Sequence, residues 1–268
     1  MKTPLEILLE RRSIRSFEAR PVEADVIARL KEATLRAPTA GNMVLWSVID
    51  VQDPERKKAL SVLCDNQPFI AKAPLIWVFL ADTQKWIDGF ESGDSRGKSP
   101  DTPWRAPGWG DLHLCMQDAI IAAQTAVIAA ESLGLASCYV GDIIENYEKV
   151  ASLLSLPRYA APAAMLVFGY PPEAALHRPL TPRPPQEALF MIDAYRHMDA
   201  HDLENAFSVH TEQLRERGVL PYGNTGSYAD LYYIKKYSSG FMREMNRSAK
   251  AFFERWGDGM ETSESQEG

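Results

Sequence analysis

Cysteine is scarce in this chain: Cys64, Cys115 and Cys138 are the three among 268 residues. Their odd number and wide spacing fit neither a disulfide framework nor a zinc site, and they read as reduced thiols of a cytosolic protein. An excess of positive charge is also missing. The formal net charge of −7 argues against nucleic acid or an anionic membrane as main partner, since both reward a basic face. Long apolar runs are lacking too. The longest, residues 119–130, is interrupted by Gln124 and Thr125, and no apolar segment with a cleavage site opens the chain, so neither export nor membrane insertion is expected.

Three familiar motifs are absent as well. No spaced glycines follow the first strand-like run, which disfavours a Rossmann fold. Residues 93–99, "GDSRGKS", fall one spacer short of a phosphate loop, and Pro100 stands where its helix would begin. His197 and His201 are four apart, as a metal pair on one helical face would be, but Met198 occupies the position where a zinc protease needs glutamate. They are expected to be surface histidines, with no metal bound. No cysteine lies in a nucleophile motif, and no internal repeat is visible.

What is present begins with enough apolar material, 46% of the chain, to bury a substantial core. Thr3-Pro4-Leu5-Glu6 reads as a capping box opening a short helix, which delivers Arg11, Arg12 and Arg15 at its exit. A second helix is expected over 22–35 and stops before Pro38. Strands are expected at 46–51, 74–80, 137–140 and 163–169. The fully apolar run at 74–80 predicts a central, buried strand. Residues 82–110, with Trp86, Trp104 and Trp109 among glycines, prolines and charges, read as an excursion or lid. The longest helix, 111–133, is alanine-rich and closed by Gly134; its small-residue face suits either burial within one subunit or a dimer interface. A proline-stiffened loop at 177–185 carries Arg178 and Arg183. Two further helices are expected, over 202–217 and 227–256; Phe241, Met245, Phe252, Phe253 and Trp256 on the second are too many large apolar groups to leave in water, and an arm over about 195–256 that embraces a neighbouring subunit is expected to cover them, with the chain's own core or a lid over the ligand mouth as alternatives. Helices and strands alternate irregularly, so the class is α+β.

Basic clusters inside an acidic protein point to a small anionic ligand, and guanidinium is matched to phosphate oxygens. Taken in order, "RRSIRSF" at 11–17, "APTAGN" at 37–42, Gln67, "SCYVGD" at 137–142 and the Arg183 loop, arranged around "MQDAIIAAQTAVIAAESLGL", resemble the FMN-dependent nitroreductase family over about residues 3–190. The resemblance implies a mainly antiparallel sheet flanked by helices in a homodimer with two FMN between its subunits. The expected division is an FMN-binding domain over 1–194, a helical arm over 195–261 read from its apolar spacing and a disordered tail over 262–268 read from its polar composition.

The resemblance also implies roles. Arg11 and Ser13 would meet the FMN phosphate, with Arg12 beside them, and Arg15 the pyrimidine edge, where a cation favours the negatively charged reduced form. Pro38, Thr39, Ala40 and Asn42 would line the flavin across the dimer interface. Gln67 would bond the pyrimidine edge. Tyr139, Val140, Gly141 and Asp142 would run along one flavin face, and Arg183, with Arg178, would close the phosphate site. Hydride would pass from NADPH or NADH through FMN to a small organic acceptor, such as a nitroaromatic, quinone or enone, by ping-pong kinetics in the cytoplasm. A flavin store or sensor, and a reductive dehalogenase, are the alternatives on the same fold.

Overall fold

The computed structural model describes residues 3–257. Four strands form one antiparallel sheet in the order β1-β2-β4-β3: β1 (Trp46–Asp50), β2 (Leu75–Asp82), β3 (Ala136–Val140) and β4 (Ala160–Gly169). Strands β2 and β4 are buried along their whole length because both faces of the sheet are covered. Ile76, Val78 and Leu80 point into one core, while Leu75, Trp77 and Phe79 point into the other, as the two-residue strand period requires. The expected strand at 163–169 starts earlier, at Ala160. Pro162 is accommodated because the ladder shifts register between Phe79 and Leu80, a bulge that absorbs the missing N–H.

One face carries α1 (Pro4–Glu10), α2 (Ala24–Thr34) and the long α7 (Trp109–Ser132). Alanines 119, 122, 123, 126 and 130 are buried against the sheet and α2, so α7 approaches closely. By length and composition α7 could cross a membrane, but its apolar stripe is the centre of this core. The other face carries α3 (Pro54–Leu63), α4 (Pro68–Lys72) and α8 (Tyr147–Leu153). The segment 82–110 is no detached excursion at its start. Asp82, Thr83 and Ile87 are buried, α5 (Gln84–Ser92) is tied down by Trp86 Nε1 donating to Met43 O at 2.9 Å, and the short α6 (Ser95–Lys98) follows.

The described residues divide into two compact units, one reaching to Arg178 and resuming at Glu244, the other spanning Pro179–Arg243. The division expected at 194/195 falls within the second of these units. The first unit also holds α9 (Glu173–Leu176). The second holds α10 (Ala200–Glu216) and α11 (Tyr228–Tyr232). The single helix expected over 227–256 is broken: a π-helical turn, Tyr233–Tyr237, follows α11, and α12 (Gly240–Gly257) restarts after Ser238 and Ser239, whose hydroxyl accepts from Met242 N–H at 3.2 Å. Helix α10 begins at Ala200, so His197 precedes it and packs on Tyr195 instead of sharing a helical face with His201. The expected tail at 262–268 lies outside the described residues.

The large side chains near the C-terminus were expected to be covered by a neighbouring subunit. Phe252 and Trp256 are instead buried in the chain's own core, edge-on to Tyr147 and Tyr159. Polar bonds fix this docking: Ser248 Oγ accepts from Tyr147 N–H at 3.1 Å, Glu244 accepts from Asn146 N–H at 3.2 Å, and Arg247 reaches Glu148 bidentately at 2.7 and 2.8 Å.

Candidate functional site

Helix α1 ends where the arginines begin. The cap residue Arg11 leaves helical geometry, and the chain runs on extended beside the free edge of β3. Ser13 pairs in parallel with Ser137, and Ile14 N–H donates to Ser137 O at 3.0 Å. Ile14 is buried, so Ser13 and Arg15 on the alternate positions stay exposed. Both guanidiniums act on β3: burial raises the Cys138 thiol, while Arg15 and Arg11 oppose the rise. The Tyr139 phenol is pushed up to about 12 by burial, against the pull of Arg11. Arg15 also sits 6.0 Å from the Phe69 ring centroid, a residue the sequence reading did not single out.

Phe69 arrives there through the turn after α3. Asp65 and Asn66 take left-handed conformations, φ 58° and 51°, which short polar side chains tolerate, and Pro68 then starts α4. Gln67 is half-buried and its amide donates to Cys64 O at 2.9 Å. A second turn packs on the first. Beyond β3, Gly141–Ile144 is a short 3₁₀ turn, and Asn146 Nδ2 donates to Leu63 O at 3.0 Å. Val140 is buried in the core, so only its backbone can face a ligand, whereas Gly141 is exposed and Asp142 half-buried. Arg11, Ser13 and Arg15 thus run beside β3, and Tyr139 through Asp142 carry on from its end to the turn that holds Gln67.

The neighbourhood is also negative beneath its surface. Glu145 is 6% exposed, one carboxylate oxygen has no hydrogen-bond partner, and burial next to Asp142, Asp65 and Glu244 pushes its pKa up to about 7. The thiol of Cys64 is raised by burial and by Asp142 and Glu145.

Residues 38–42 form a separate group. Their loop closes on Asp118 of α7: Thr39 Oγ1 donates to Asp118 Oδ2, Ala40 N–H donates to Oδ1 at 3.0 Å and Leu45 N–H to Oδ2 at 3.2 Å. Pro38 and Asn42 are exposed, while Thr39 and Ala40 are half-buried. Asp118 was not expected. Its signal in the sequence is one carboxylate on the stripe Cys115, Ala119, Ala122 and Ala126, where every neighbour is small and buried.

Two of the three remaining site arginines, Arg12 and Arg183, donate to backbone. Arg12 donates to Arg178 O at 2.7 Å and to Glu10 O at 2.7 Å, so it ties the helix exit to the end of the first unit. Arg178 is exposed. Arg183 belongs to the second unit, where it donates to Thr181 O at 3.3 Å and Pro182 O at 3.1 Å.

Known proteins share this arrangement of chain. A model described as the nitroreductase family matches residues 8–170. An FMN reductase [NAD(P)H] of Bacillus subtilis is 34% identical over 81% of this chain and 83% of its own length. An oxygen-insensitive NADPH nitroreductase of Salmonella typhimurium is 30% identical over 84% of this chain and 86% of its own. The solved structure of B. megaterium NfrA2 superposes with a TM-score of 0.78 at 27% identity, over 98% of this chain and 100% of that one. A family model covering more than half of the chain, with relatives at this identity along most of it, makes the protein a member of the nitroreductase family.

Proposed function

We propose that this protein is an FMN-dependent NAD(P)H oxidoreductase whose cofactor lies along the end of β3, between the residue 11–15 segment and the turns at 65–67 and 139–142. The observation that carries the reading is a pair of guanidiniums, Arg11 and Arg15, that form no ion pair among the described residues. Among the described residues the ion pairs of the first unit include Lys31–Asp50, Lys85–Asp82, Arg105–Asp111 and Arg247 with Glu148 and Glu244, and none involves Arg11 or Arg15. An anionic, planar group fits that donor set.

The chemistry a bound FMN supplies is two-electron transfer from NAD(P)H to a small organic acceptor, such as a nitroaromatic, quinone or enone, in two half-reactions at one site. Arg11 and Ser13 would hold its phosphate, with Arg183 and Arg178 as further candidates. Arg15 would set a fixed positive charge at the pyrimidine edge, which favours reduction. Gln67 would bond that edge, and the backbone from Tyr139 to Asp142 would run along one flavin face. Residues 38, 39, 40 and 42 would line the flavin of a second subunit. Arg12 would act by holding the helix exit to Arg178.

Dimerisation is supported by apolar surface. Leu5, Leu8 and Leu9 on α1, and Leu114, Ile120 and Ile121 on α7, are each at least 40% exposed, and α1 packs against α7. Exposed apolar side chains on two packed helices suit a second copy of the chain. The buried reduced thiols and the demand for NAD(P)H fit a cytoplasmic setting.

Anaerobic mixing of the purified yellow protein with NADPH or NADH, followed by addition of an acceptor, tests the reading. Bleaching by the nucleotide and recovery of colour with acceptor are expected. A flavin that stays bound but never bleaches would identify a store or sensor, and a protein without flavin affinity would overturn the reading altogether.

A further inference from the structure

Asp118 is a buried carboxylate, 2% exposed, on the otherwise apolar buried stripe of α7. Among the described residues it has no basic partner, and its two oxygens are used instead by three donors from one loop: Thr39 Oγ1, Ala40 N and Leu45 N. Thr39 extends the clasp, because its hydroxyl oxygen also accepts from Val44 N–H at 2.9 Å. The loop held in this way is bent at three places. Gly41, Asn42 and Val44 all have left-handed backbones, with φ 55°, 58° and 50°. Glycine adopts this freely and asparagine with little difficulty, but a β-branched valine there is a strained outlier. The carboxylate supplies the compensation: charge-assisted bonds in a dry site are stronger than neutral ones, and the outer side of the loop is fixed by Trp86 to Met43 O.

We infer that Asp118 is the positioning residue of the loop at residues 38–44, holding its strained shape through Thr39 so that the loop can complete the flavin pocket. The inference rests on the proposed flavin function. It also changes the part given to Thr39, whose hydroxyl is committed to Asp118 and Val44 and works inside the loop instead of touching the ligand. Asp118→Asn cannot reproduce the clasp, because one oxygen is replaced by an NH2 that faces backbone donors.

The test uses the full chain, with FMN affinity measured by titration of the apoprotein, thermal melting, and the visible circular dichroism of bound flavin. The wild type must bind FMN for the proposed function to stand; failure at that point overturns the function and not Asp118 alone. Given binding, Asp118→Asn and Asp118→Ala should weaken FMN affinity by about tenfold or more, the equivalent of one charge-assisted hydrogen bond, with an altered flavin dichroism. Leu30→Ala, a core truncation on α2, should lower the melting temperature and leave affinity and dichroism unchanged. Thr39→Val should weaken binding and Thr39→Ser restore it, and the double variant Thr39→Val with Asp118→Asn should lose no more than the worse single, because both break one clasp. Asp118 variants that bind FMN like the wild type, while melting early like Leu30→Ala, overturn the inference. So does additivity of the two changes. Should the Asp118 variants not fold, the Thr39 pair decides: Thr39→Val with wild-type affinity sinks the clasp.

Discussion

Ser13 lies in parallel register with Ser137, the neighbouring Ile14 N–H bonding Ser137 O at 3.0 Å. This single bridge makes residues 13–15 a minimal fifth strand on the free edge of β3, and it sets which side chains of the arginine segment meet Cys138 and Tyr139. The placement of Arg15 is therefore a property of the sheet edge more than of helix α1.

The same edge offers a mechanical test. Gly169, paired with Ala136, leaves no room for a side chain: an added Cβ would lie 2.8 Å from Phe17 Cγ and 2.9 Å from Pro74 Cδ. Gly169→Ala should destabilise by roughly 1–3 kcal/mol, the usual cost of overpacking, and should displace Phe17, two residues beyond Arg15. Denaturant melts measure the first effect. An unchanged midpoint would mean that Phe17 moves aside freely.

Arg15 and Arg183 should fail in different ways when removed. Arg15→Ala should lower the midpoint potential of bound FMN by roughly 30 mV or more, the two-electron equivalent of about 1.4 kcal/mol. Arg183→Ala should chiefly weaken FMN retention. Potentiometry on FMN-loaded protein separates the two, and an unshifted potential for Arg15→Ala would remove it from the pyrimidine edge.

Glu145 ties stability to pH. Its folded pKa of about 7 stands above the ordinary value of 4.5, so between these two values the folded chain holds a proton that the unfolded chain has released. Stability from this group must then fall as pH rises through that window, and level off above it. Glu145→Gln, which keeps the shape and removes the charge, should flatten this part of the profile and raise stability above pH 7. Equilibrium unfolding at several pH values reads the slope; a slope identical in the variant would show that Glu145 is not its source.

The exposed isoleucines of α7 test the assembly. Ile121→Glu, with or without Ile120→Glu, should convert a dimer to monomers and release FMN together with the interface. Sedimentation of the variants across a concentration series would reveal this. A monomeric wild type would oppose the proposed dimer directly.

Much of this architecture is legible in the sequence, for identifiable reasons. The apolar run at 74–80 has the length of a strand with both faces covered, and Thr3-Pro4 with Glu6 marks the first helix start by capping chemistry alone. The arginine segment and the turns carrying Gln67 and Gly141 are legible through short motifs, because the chemistry depends on backbone turns and a few fixed charges. What escapes is long-range. Nothing local to Asp118 says that a loop 73 to 79 residues earlier will close on it. Phe252 and Trp256 show the helical spacing of any covered face, and the spacing does not say whose core covers them. The break at Tyr233–Tyr237 is hidden because no glycine or proline within it announces a change of helical pitch.

The burial of Trp256 has a consequence for how the protein is made. One core cluster joins Leu45 and Val51 to Phe252 and Trp256, so the face of the sheet bearing α3 and α8 cannot close until residues through Trp256 have left the ribosome. During synthesis that face remains apolar and open, which is the state in which nascent chains associate wrongly or recruit chaperones. The other face, built around α7 and α2 from residues no later than Tyr170, can consolidate first. The direction of translation thus imposes an order on the two halves of the core.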